Sequence, residues 1–121
     1  MDYCIIIKSA AILSSKDFAA QLKRRWPSAV IETSKSPRAG ERLQFELPMA
    51  QRVLHGSLAQ DGKGVFIHSG GVQDCAEFTQ WCRSLIPSLE DVVFCDDSMS
   101  IDVSLTAIMS TAEIASIILS S

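Results

Sequence analysis

Lysine and arginine are missing from the last third of this chain. After Arg83 neither occurs, while Glu90, Asp91, Asp96, Asp97, Asp102 and Glu113 stand in the final 38 residues. The imbalance reaches further back. Residues 1–56 carry nine Lys/Arg against five Asp/Glu, a balance of +4, whereas residues 57–121 carry two against nine, a balance of −7. A fold that gathers those acids presents a negative field able to steer and hold a basic partner. The pI near 5.2 argues against a nucleic-acid-binding domain. Lys23, Arg24, Arg25, Lys35, Arg38 and Arg42 are the cations available for such a patch, and aromatics are not interleaved with them as a stacking platform requires.

Other absences narrow the classes further. No apolar run approaches the roughly 18 residues that span a bilayer. The opening Met1-Asp2-Tyr3-Cys4-Ile5-Ile6-Ile7-Lys8 lacks the basic n-region and small-residue cleavage site of a signal peptide, so a cytoplasmic location is expected. Gly70-Gly71 has no G-x-G-x-x-G or Walker pattern around it, and no serine sits in G-x-S-x-G. Cys4, Cys75, Cys82 and Cys95 form no C-x-x-C pair and no zinc spacing. Cys75 and Cys82 share a helix face about 10 Å apart along its axis, too far for a disulfide. All four are expected to be reduced and buried.

The length of 121 residues suits one domain with a real core. Ser14 or Ser15 starts a first helix, whose Phe18, Leu22 and Trp26 repeat at spacing four before Pro27. Asp74 and Glu77 suggest a capping box for a second, burying Cys75, Phe78, Cys82 and Leu85 before Pro87. Ser110 and Glu113 suggest the same for a third, burying Ile114, Ile117 and Ile118. Trp26 and Trp81 fit packing roles at core spacing or its margin.

Strand patterns lie between the helices. Tyr3–Lys8 is apolar on both faces and should be central in a sheet. Val30–Thr33 follows, and then Leu43–Leu47 points Leu43, Phe45 and Leu47 inward and Gln44 and Glu46 outward. Val53–Gln60 and Gly64–His68 flank Asp61-Gly62, a strong hairpin signal. Val92–Asp96 and Ile101–Leu105 flank Ser98-Met99. Ser34–Glu41, with its Pro and Gly, is the least ordered stretch expected. The order β-α-β-β-β-β-α-β-β-α predicts an α+β domain, helices packed on a mostly antiparallel sheet.

The Asp61-Gly62 turn also fixes a register. Leu58 faces Val65, Ser57 faces Phe66, and the chain's two histidines, His55 and His68, become opposed neighbours about 5 Å apart at Cβ. Two imidazoles at that spacing can share a metal or a proton, though no third ligand sits at a recognisable spacing, and two ordinary histidines on a polar face are the favoured reading. Asp96, Asp97 and Asp102 surround the tip of the second hairpin. They fit a solvated loop, an acidic docking edge, or a Mg²⁺ site.

One resemblance adds to this reading. Phe78–Pro87, Val92–Asp97, Ile101–Val103 and the closing Ser110–Ile114 helix start resemble, in general style, the immunity proteins of bacterial polymorphic toxin and contact-dependent inhibition systems. That class shares no functional residues, so none is carried over. The resemblance implies a cytoplasmic, non-enzymatic protein that binds one cognate toxin domain, often a basic nuclease, without cofactor, nucleic acid or membrane. Glu90, Asp91, Asp96, Asp97 and Asp102 are then the expected docking residues. A metal-dependent enzyme or metal-binding domain on His55/His68 or the aspartate trio, and a small-molecule sensor, are the alternatives; the oligomeric state is not legible.

Overall fold

Each apolar period finds its element. The chain runs β1 (Tyr3–Ile7), α1 (Ser15–Arg25), β2 (Val30–Thr33), β3 (Glu41–Pro48), β4 (Val53–Ala59), β5 (Gly64–Ser69), α2 (Val72–Ser84), β6 (Val92–Asp96), β7 (Asp102–Ser104) and α3 (Thr111–Leu119). This is the α+β order expected. The computed structural model describes residues 3–33, 41–98 and 100–120 and, among these, all side chains but those of Glu41 and Arg42. Residues 34–40 of the expected loop, with Lys35 and Arg38, and Met99 of the second hairpin lie outside that range.

The strands form one sheet in the order β2-β3-β4-β5-β1-β6-β7, every neighbouring pair antiparallel. The Ile-rich β1 is internal, as its two apolar faces require. One face carries the core, where Ile5, Ile7, Leu43, Phe45, Leu47, Leu54, Leu58, Val65, Ile67, Val92 and Phe94 meet the helices. Phe45 stands at its centre, 5.8 Å from Phe18 of α1 and 5.4 Å from Phe78 of α2 between ring centroids. Trp26 and Trp81 complete that aromatic cluster, with centroids 5.0 Å apart. Such ring pairs contribute about 0.5–1.5 kcal/mol each beyond area burial. Gly56 opposes Phe45 on β4, and a Cβ there would lie 2.5 Å from the Phe45 ring. The missing side chain is what lets the ring lie flat against the sheet.

The helix caps differ from one another. Ser14 caps α1 through the amide of Asp17, and Ser110 with Glu113 forms the expected reciprocal box on α3. The start of α2 corrects the expectation of an Asp74–Glu77 box. Gly71 is its N-cap and supplies no side chain. Gln51, from the β3–β4 turn, caps it instead: its Oε1 accepts from the amides of Gln73 at 3.0 Å and Asp74 at 3.3 Å. Asp74 is buried and returns the contact, accepting from the amides of Gln51 and Arg52 at 2.9 and 3.1 Å. It is a capping box divided between two distant segments. Glu77 turns outward to Arg25 at 2.5 Å.

Arg83, the last cation of the sequence, is only 3% exposed. Its guanidinium donates to the carbonyls of Leu105 and Ile86, both at 2.8 Å, and more weakly to those of Pro87, Ser88 and Glu90 at 3.3–3.4 Å. Carbonyl oxygens, rather than a carboxylate, compensate this buried charge. A planar five-donor fork is the one side chain able to serve them together. Replacing Arg83 by Met leaves buried acceptors unpaired and should cost on the order of 3 kcal/mol. Lys in its place, a single point donor, should recover less than half of that, read as the shift of the urea midpoint. A midpoint unchanged within error in both variants would refute the clamp.

Candidate functional site

Three helices cover one side of the sheet, and alternation along the strands delivers the opposite set of side chains to the other. This second face runs from Val30 and Glu32 on β2 through Gln44 and Glu46 on β3 and His55 and Ser57 on β4. It continues across Phe66 on β5, Cys4 and Ile6 on β1 and Val93 and Cys95 on β6 to Asp102 on β7. Ile6, Phe66 and Val93 are half-buried and stand outside the core cluster. The face thus has an apolar middle with carboxylates toward both edges.

A shallow depression of about 280 Å³ opens in it, lined by Val30, Glu32, Gln44, Phe45, Glu46, His55, Gly56 and His68. Both histidines reach it, but not as the turn register predicts. Gly62, at φ 73°, makes the hairpin turn, and Leu58↔Val65, Ser57↔Phe66 and Gly56↔Ile67 pair as expected. One step later the ladder slips, and His55 opposes Ser69. A bulge places His68 beside the ladder, where its Nε2 lies 3.0 Å from the Ser57 hydroxyl. His55 instead has its Nδ1 3.6 Å from Glu46 Oε1, its cross-strand neighbour on β3. The imidazoles therefore have separate partners. Among the described residues, no group of three His, Cys, Asp or Glu side chains could hold a metal ion. Ser57 has a serine–histidine contact yet is fully buried, so its hydroxyl is closed to a substrate.

The acids of the last third do not form one surface. Glu90 and Asp91 precede β6 and Asp97 follows it, so the two groups stand roughly 20 Å apart along the strand. Glu90 is half-buried and accepts from the Ser9 hydroxyl, which in turn accepts from the amide of Asp91. Asp96 is buried inside the hairpin. Its carboxylate accepts from the Ser100 hydroxyl at 2.6 Å, the Ser98 hydroxyl at 2.9 Å and the amide of Ile101 at 3.0 Å. It closes the tip and is turned away from any partner. Of the five expected docking residues, Asp91, Asp97 and Asp102 are exposed. Glu32 and Glu46, which charge counting over the second half passes over, stand exposed on the uncovered face. The alternation of β3 already pointed Glu46 outward; nothing in the sequence placed Glu32 beside it.

The cysteines also divide. Cys75 and Cys82 are buried, and burial pushes their thiols up to about 11 and about 12. Cys4 and Cys95 are half-exposed opposite each other on β1 and β6, which corrects the expectation that all four are buried. No helix among the described residues is long and apolar enough to cross a membrane.

The hairpin tip has a pH signature. The Ser100 hydroxyl first, and then the Ile101 amide, hold the Asp96 carboxyl down at about 2, against an ordinary 3.8. A folded value below the unfolded one stabilises the fold fully above about pH 4, and that contribution fades as pH falls toward 2. Stability from urea melts should therefore drop more steeply across that window in the wild type than in Asp96→Asn. Parallel curves would show that these bonds do not favour the carboxylate.

Comparison of the chain with protein-family models, with curated proteins and with solved structures finds no match.

Proposed function

We propose that this chain is a non-enzymatic neutralising protein of the immunity type, which binds a basic toxin domain in the cytoplasm and blocks it. The observation that carries the reading is the sheet face left without a helix among the described residues, its half-buried apolar middle flanked by Glu32 and Glu46 on one side and Asp102 on the other. Exposed apolar surface rimmed by charge is the composition of a docking surface. A toxin that handles phosphate presents a positive cleft, and carboxylates on a stiff sheet meet it without an ordering cost in the binder.

This reading moves the expected contact from the five acids of the last third to the whole uncovered face. Asp97 and Asp102 remain at one end of it, while Asp96 supports them from inside. Glu90 and Asp91 lie at the other end of β6, where Glu90 is tied to Ser9 and Asp91 pairs with Lys8 at the margin of the same face.

Co-purification with the product of the adjacent upstream gene, and protection of cells against it, tests the reading directly. Glu32→Lys with Glu46→Lys should slow association about tenfold at low salt and weaken its salt dependence, whereas Asp17→Lys on α1, at the helix-covered side of the sheet, should leave the rate near wild type. Absence of both complex and protection would overturn the proposal. A complex that forms at unchanged rate with the Glu32/Glu46 variant would move the interface off this face.

A further inference from the structure

We propose that Cys4 and Cys95 form a reversible dithiol–disulfide couple that locks β1 to β6. Cys4 and Cys95 are direct partners in the β1–β6 ladder. The Lys8 amide donates to the Asp91 carbonyl at 2.7 Å, which marks Lys8/Asp91 as a hydrogen-bonded pair. Antiparallel pairs alternate in type, so Ile6/Val93 and then Cys4/Cys95 are of the same type. That type sets Cα atoms about 5.5 Å apart, inside the range a disulfide spans.

The fit is close and not relaxed. Cβ atoms at such a pair stand about 5 Å apart, wider than the roughly 3.8 Å of an unstrained disulfide. Closing the bond must draw the two strands together, and a strained disulfide is readily reduced. Both thiols are reduced, half-exposed and on the uncovered face, and a hydrogen bond already joins them. Cys75 and Cys82, by contrast, are buried on the inner face of α2 and out of reach of a solution oxidant.

The oxidant this pair suits is a low-molecular-weight disulfide such as oxidised glutathione. One cysteine, having lost its proton, attacks a glutathione sulfur as thiolate, and the S–S bond breaks to release a glutathione thiolate that takes up that proton. The second cysteine then attacks the protein sulfur of the mixed disulfide and releases the other. Two protein thiols are oxidised to one disulfide, and one glutathione disulfide is reduced to two thiols. The lock sits at a joint of the fold, because β6 and β7 reach the other strands only through β1.

The test uses the full chain equilibrated with excess oxidised glutathione under native conditions. Two of its four thiols should be lost, no disulfide should join one chain to another, and peptide mapping should recover Cys4 linked to Cys95. Dithiothreitol should restore all four thiols, and the oxidised form should melt several degrees higher. Cys4→Ser, which cannot close the bond, should accumulate a glutathione adduct on Cys95. Adducts without a cross-link in the wild type, a cross-link involving Cys75 or Cys82, or four thiols still free would each overturn the proposal. So would loss of the far-ultraviolet dichroism before thiol loss, since oxidation would then be reporting on an unfolded chain.

Discussion

The guanidinium of Arg83 holds three parts of the molecule in one place. It is anchored in the last turn of α2, its fork reaches the carbonyls of the 86–90 segment, and its Nε reaches Leu105 just beyond β7. The direction in which the chain leaves α2 fixes where β6 enters the sheet. The position of Leu105 then fixes the departure toward α3. No carboxylate is needed, because convergent carbonyl dipoles supply the negative potential that a buried cation requires. Asp74 and Asp96 follow the same logic with opposite sign, each holding a turn through backbone amides or neighbouring hydroxyls. The three buried charges among the described residues are thus used to fix loops rather than to pair with one another.

This use of charge explains where sequence reading succeeds. The periodicities of Phe18, Leu22 and Trp26, and of Leu43, Phe45 and Leu47, placed the elements and their inward faces, because burial of apolar surface dominates local structure. The Ser110–Glu113 box was legible because both halves lie within four residues. The box on α2 was not, since its halves, Gln51 and Asp74, are far apart in the chain. In the same way the Asp61-Gly62 turn fixed the register near itself and lost it at His68, where one residue leaves the ladder.

The acidic half shows the limit of counting charges. A balance of −7 treats every carboxylate alike. Asp96 is enclosed by its own hairpin, Glu90 leans on Ser9, and Glu113 caps a helix. What remains exposed is divided between the two ends of β6 and the Asp61 turn. The uncovered face draws its carboxylates from both halves of the sequence, through cross-strand neighbours that no linear window contains.

The position of β1 has a consequence for how the chain comes together. Ile5 pairs with Val65 on one side and Phe94 on the other, partners 60 and 89 residues away. No hairpin can deliver either contact. The strand with the densest run of isoleucines must therefore wait unpaired until β5 has been made, and it keeps its other edge open until β6 arrives. Loop closure of that length is slow, and an apolar strand that waits is open to pairing with a neighbouring molecule. Assembly of this domain is thus a race between the late arrival of β6 and self-association of β1. That makes the first strand the segment most in need of protection while the chain is young.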